Sequence, residues 1–71
     1  MNPVRPNKLQ LSKWTALQPR HKEKHFLVTQ VEYDEEGQVT LCLLEAIMSK
    51  REYSIDWTEL KDATRWRQGW H

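Results

Sequence analysis

HFLVTQVEYDEEGQVTLCLLEAIM, residues 25–48, is the stretch on which the fold turns. Its first nine residues, His25 to Tyr33, are rich in Phe, Val, Thr and Tyr, types that suit a pleated, half-buried surface. Strict alternation places Leu27, Thr29, Val31 and Tyr33 on one face, with Phe26 and Val28 on the other. Asp34-Glu35-Glu36-Gly37 then reads as a turn, with Gly37 free to take a positive φ. From Gln38 to Met48 the chain resumes as a strand, and two such runs a few residues apart signal a hairpin. Leu41 to Met48 is the ambiguous part, because Leu41, Leu44 and Met48 would also stripe one side of a helix. The preceding turn and the hairpin spacing favour strand.

Upstream, Leu9 to Leu17 alternates, with Gln10, Ser12, Trp14 and Ala16 on one face, and predicts another strand. Pro19 is expected to stop it, leaving Arg20 to Lys24 as a charged connection. Met1 to Asn7 carries two prolines and no periodicity, which predicts a flexible N-terminal tail ahead of one small domain over residues 8–71. Downstream, Ser49-Lys50-Arg51 reads as a second tight turn and Glu52 to Ile55 as a fourth short strand. Asp56 and Glu59 then have capping-box spacing. Beyond them, helical spacing puts Leu60, Ala63, Trp66 and Trp70 near one face, with Gly69 as terminator. The expected fold is mainly β: a four-stranded antiparallel meander with a short C-terminal helix, the sheet open or curled into a small SH3-like barrel.

A chain of 71 residues is one domain near the lower end of what folds alone. Cys42 is its only cysteine, so no intrachain disulfide can staple it. Within Leu41-Cys42-Leu43-Leu44 that cysteine reads as a small buried hydrophobe of a reducing compartment. Tryptophan is the other means of building a core: Trp14, Trp57, Trp66 and Trp70 could each bury roughly 150–250 Å². At least three of the four are expected to be structural. The N-terminus lacks an apolar stretch of signal-peptide length, and no run approaches the roughly 18 apolar residues of a membrane span. The expectation is a cytoplasmic protein with no membrane partner.

The net charge of +1 hides an asymmetry. Residues 1–25 hold six basic residues against Glu23 alone, while residues 26–62 hold nine acids against Lys50, Arg51 and Lys61. A basic first third could meet a polyanion or pair with the acidic segment of its own chain, and the second is the simpler reading.

No arrangement of catalytic type emerges. His21 and His25 are four apart, but a zinc site needs three or four protein ligands, and Cys42 and His71 lack supporting spacing. Cys42 in apolar company makes a poor nucleophile. With Gly37 and Gly69 as the only glycines, no phosphate-cradling loop exists. No catalytic residue, metal ligand or cofactor is therefore expected. The expected function is a non-enzymatic binding or accessory module with an unknown protein partner. Its candidate binding residues are Lys13, Trp14, Lys22, Lys24, Arg65, Trp66, Arg67 and Trp70. The alternative is single-stranded nucleic acid, bound by the basic first third and the Arg/Trp tail through base stacking and phosphate contacts. The tail, Arg65-Trp66-Arg67-Gln68-Gly69-Trp70, must dock on its own sheet or on a partner. Oligomeric state is left open.

Asn7-Lys8-Leu9, Leu11-Ser12-Lys13-Trp14-Thr15-Ala16 and Glu23-Lys24-His25-Phe26 resemble the start of a small tryptophan-rich family of uncharacterised bacterial proteins. The later pattern, Arg51-Glu52-Tyr53, Ile55-Asp56-Trp57 and Leu60-Lys61-Asp62 with Trp66, Gly69 and Trp70, is similar to the same family. The resemblance spans about Asn7 to Trp70. It implies a bacterial cytoplasmic origin, in marine gamma-proteobacteria or cyanobacteria, and supplies no activity, ligand or catalytic residue.

Overall fold

A computed structural model describes residues 1–71. The quoted stretch is a hairpin, as expected. Strand β2, Glu23–Tyr33, pairs antiparallel with β3, Val39–Ala46. The connection is closed by the Asp34 carboxylate, which accepts from the backbone N–H groups of Glu36 and Gln38, both at 2.9 Å. Gly37 takes φ +82°, the conformation that only glycine adopts freely.

The alternation within β2 is interrupted. Val28 lies opposite Leu44, but Gln30 lies opposite Leu43, so Thr29 is an extra residue. That bulge carries Val31 to the face of Phe26 and Val28, where it pairs with Cys42 and packs on the core. The strict alternation expected for Val31 is thereby corrected.

Strand β1, Lys13–Arg20, starts later and ends later than expected. Ahead of it, Pro6–Lys8 form a 3-10 turn, Leu9 drops into the core, and Leu11 takes φ +66° with its side chain outward. Pro19 does not end the strand. The register against β2 already shifts between Thr15 and Arg20, so the missing N–H falls where the ladder is broken. Arg20 then pairs with Glu23 across the two-residue turn His21-Lys22, at φ +55° and +61°. Two successive positive φ values make a type I′ hairpin, and left-handed non-glycine residues are strained. Replacing His21 by Asn and Lys22 by Gly is expected to stabilise the domain by about 1 kcal/mol. A lower urea midpoint for this double variant would contradict the turn geometry.

Strand β4, Glu52–Ser54, pairs with β3, with Tyr53 opposite Leu44. The capping box at Asp56 forms as read: its carboxylate accepts from Thr58 N–H at 3.0 Å, and Asp56 N–H donates to Glu59 at 3.3 Å. It opens a five-residue 3-10 turn, Trp57–Lys61, and not the expected C-terminal helix. Asp62 stops the turn, because its carboxylate accepts from both the N–H and the hydroxyl of Thr64 and offers the backbone a non-helical alternative. The chain then extends as a fifth strand, β5, Trp66–Gln68, against Trp14–Ala16 of β1.

The sheet order is β4-β3-β2-β1-β5, all antiparallel, with β4 and β5 as unpaired edges. It is a five-stranded open sheet and not a closed barrel. Its inner face carries the core: Leu9, Trp14, Phe26, Val28, Cys42, Leu44, Ala46 and Leu60. The 3-10 turn lays Leu60, fully buried, over this core as a lid. Asn2 ties that lid down, with its side-chain amide donating to the carbonyls of Leu60 and Trp66 at 2.9 and 2.8 Å.

The four tryptophans play unequal parts. Trp14 is 1% exposed, and Trp57 and Trp66 are half-buried against the core. Trp70 is 42% exposed and lies beyond the sheet's outer face, where its indole N–H donates to the Phe26 carbonyl at 2.9 Å. The Arg/Trp tail thus docks on its own sheet.

Candidate functional site

The lid covers only part of the inner face. At the hairpin end a groove of about 330 Å³ remains, lined by residues of β1 to β5. Its apolar floor and walls include Phe26, Leu44, Ile55 and Trp66. Trp66 stands edge-on to Phe26, ring centroids 5.3 Å apart at 82°. Tyr53 meets Phe26 from the other side at 6.2 Å. Gln18, Arg20, His21 and Arg65 supply the polar part of the lining.

Glu23 closes the groove beneath the hairpin turn and is itself buried. One carboxylate oxygen accepts from the Tyr53 hydroxyl at 2.5 Å and the other from the Ser49 hydroxyl. The Ser49 hydrogen bond, then that from Tyr53, then the charges of Arg51 and His21 hold its pKa below the ordinary carboxylate value, against the opposing effect of burial. Donation to this carboxylate raises the pKa of Tyr53 in turn. Glu23 is therefore an anion with both oxygens in use, and it fastens the β3–β4 turn to β2.

A depressed folded-state pKa contributes stability that is complete above the unfolded value and is lost as pH falls through the folded one. Between about pH 5 and 3 the melting temperature of the wild type should consequently fall more steeply than that of Glu23→Gln. Parallel slopes in thermal melts across that range would show that the carboxylate is not held in this way.

The candidate residues read from the sequence do not converge. Arg65 and Trp66 line the groove, with Arg65 also 3.5 Å from Glu59. Trp14 is enclosed, its N–H donating to the Ser12 hydroxyl at 2.9 Å, so no ligand ring can stack on it. Lys13 lies across the sheet from the groove, 4.8 Å from the Trp70 ring centre, and Arg67 pairs with Thr15 on that outer face. Lys22 occupies the hairpin turn, and Lys24 is an exposed residue of β2. The basic residues thus form no single track. His25 also belongs to the outer face, where its Nε2 lies 2.8 Å from the His71 carbonyl oxygen, away from His21 in the groove.

Arg20 was read only as part of the basic first third and His21 only as a loop histidine, while Gln18 and Tyr53 were missed by reasoning from the sequence. The type I′ turn folds the first two back over β2, and the Leu44–Tyr53 pairing supplies the last. No local signal marks either event, since His-Lys is not a sequence typical of that turn.

Every buried side-chain nitrogen and oxygen has a hydrogen-bond partner. The indole N–H groups of Trp57 and Trp66 bond to nothing in the chain, so both donors reach solvent, and of the two residues Trp66 lines the groove. Arg20 takes part in neither of the two ion pairs, Lys50–Glu45 and Arg65–Glu59. The groove therefore offers free donors beside aromatic surface, while its one carboxylate is occupied. Cys42 is 1% exposed, and burial pushes its thiol pKa up, which makes it a core residue and no available nucleophile.

No curated protein and no solved structure matches the chain. A family model described as tryptophan-rich protein (DUF2389) matches residues 12–71, which takes in all five strands, the groove and the docked tail. The chain belongs to this tryptophan-rich protein family.

Proposed function

We propose that the protein is a non-enzymatic binding module whose ligand docks in the groove at the hairpin end of the inner face. The observation that carries this reading is the solvent-open Trp66 indole, set in an aromatic groove beside Arg20 and Arg65. Binding sites are concave and mostly apolar, with a few placed polar groups, and a volume near 300 Å³ is at the small end of their range. A cleft of this size takes one ring-bearing group. Its carboxylate, Glu23, is committed to Tyr53 and Ser49, which suits a structural anion better than an acid or base in a reaction.

Single-stranded nucleic acid is a second reading, favoured by the Arg65-Trp66 pair at the groove. The burial of Trp14 and the placement of Lys13, Arg67 and Trp70 beyond the other face leave it a much shorter track than the sequence suggests.

The test follows the four indole N–H resonances of isotope-labelled protein while a library of small ring compounds, and separately mixed oligonucleotides, are added. The binding-module reading expects Trp66 to shift first and Trp14 to stay fixed. Ligands that move only Trp70, or a library in which no member moves Trp66, would contradict it. Oligonucleotide shifts at Trp66 that weaken sharply between about 50 and 200 mM salt would promote the second reading.

A further inference from the structure

We infer that the ligand of this groove is a small planar ring bearing an anionic group, a phosphate or a carboxylate. The inference rests on the binding-module reading and specifies its ligand chemistry.

Donors and acceptors are unbalanced in the groove. Trp66 presents an unused indole N–H, Arg20 and Arg65 are guanidiniums with several N–H donors each, and Gln18 adds an amide held only by a long 3.4 Å contact to the Thr64 carbonyl. The acceptor side is smaller, with the Gln18 amide oxygen and the His21 ring as its free side-chain members. Glu23 is the one carboxylate in the lining, and its oxygens already receive Tyr53 and Ser49. A ligand rich in donors would find few partners, whereas one rich in acceptors would find several.

The charge of the lining favours an anion as well. The lining holds two guanidiniums and one carboxylate, and that carboxylate already accepts from two hydroxyl donors. Arg20 is in no ion pair, and the Arg65–Glu59 contact is a loose one at 3.5 Å between partly exposed groups, worth little and easily exchanged. Guanidiniums bind phosphate and carboxylate in paired, charge-assisted hydrogen bonds.

The groove also has the shape for a ring. The apolar part of the groove consists of the rings of Phe26, Tyr53 and Trp66 with Leu44 and Ile55, a surface that accepts a flat ring. Ring and anion must be joined over a short distance, because the arginines and the aromatics line the same small groove.

Nucleoside monophosphates and simple aromatic carboxylates share this chemistry, and the experiment separates them. Adenosine and uridine monophosphates, indole-3-acetate, and the partial ligands adenosine, indole and inorganic phosphate are titrated into the full chain up to about 10 mM. The readout is the Trp66 indole N–H resonance. A ring-anion compound is expected to saturate it, with each partial ligand at least about tenfold weaker. Whichever ring-anion class binds tighter identifies the source of the anion. Arg20→Gln is expected to weaken the best compound about tenfold, with its indole and amide spectrum otherwise preserved. Arg65→Gln, whose fold is checked in the same spectra, is the second variant. The inference is overturned if no ring-anion saturates Trp66, if neutral rings bind as well as charged ones, or if neither arginine variant changes affinity. If neutral or cationic library compounds move Trp66 while ring-anions do not, the inference is lost and the binding-module reading stands.

Discussion

Trp14→Ala is expected to cost about 3–5 kcal/mol, as large-to-small substitution at a buried tryptophan does. A domain of 71 residues has a total stability of roughly 4–10 kcal/mol, so this change brings the chain close to unfolding at ambient temperature. The reason lies in position as much as size. Trp14 stands opposite Phe26 on one side and Gln68 on the other, so its side chain packs where β1 is held by both neighbours. Its indole N–H donates to Ser12, whose hydroxyl donates to the Leu9 carbonyl, which fixes the turn that buries Leu9. The comparison is Trp70→Ala, which removes a 42% exposed ring and should cost far less. Urea unfolding followed by circular dichroism measures both. Equal losses for the two variants would mean that the core is not centred on Trp14.

Leu60→Ala is the second large effect, about 2–5 kcal/mol. Leu60 is fully buried, yet it belongs to a five-residue 3-10 turn that has little stability of its own. The leucine side chain anchors the turn, and Asn2 bonds to the Leu60 carbonyl and to Trp66. Loss of the leucine should therefore loosen the N-terminus and β5 along with the lid. In amide exchange, the Asn2 N–H, which bonds to the Lys61 carbonyl at 2.9 Å, is expected to lose protection in this variant. A loss below about 1 kcal/mol, with that protection intact, would place the anchoring elsewhere.

The central hairpin was legible because its signals are local and agree with one another. β-branched and aromatic residues alternate on both sides of a turn whose Asp34 and Gly37 supply the hydrogen bonds and the positive φ. The capping box was legible for the same reason, but a cap reports where a turn begins and not how far it runs. Asp62 and Thr64 end it after five residues, and the open edge of β1 recruits Trp66–Gln68 as a strand. That recruitment is a non-local pairing, invisible to periodicity. The bulge at Thr29 and the His21-Lys22 turn escaped notice because neither carries the glycine that usually marks such geometry.

The same division runs through the groove. Arg65 and Trp66 stood out as neighbours in the sequence, whereas Arg20, His21 and Tyr53 reach them only through strand pairing. The remaining members of the basic and aromatic set shared a sequence region and not a surface.

An open groove beside a closed core is tested most directly by hydrogen exchange at the four indole N–H groups. Trp14 and Trp70 donate to Ser12 and to the Phe26 carbonyl, and Trp14 is also buried. Neither Trp57 nor Trp66 has a bonded indole N–H, and of the two Trp66 lines the groove. The expected result is slow exchange at Trp14, intermediate exchange at Trp70 and rapid exchange at Trp57 and Trp66. Protection of Trp66 comparable to that of Trp14 would mean that the groove is closed, and the binding surface argued for would not exist.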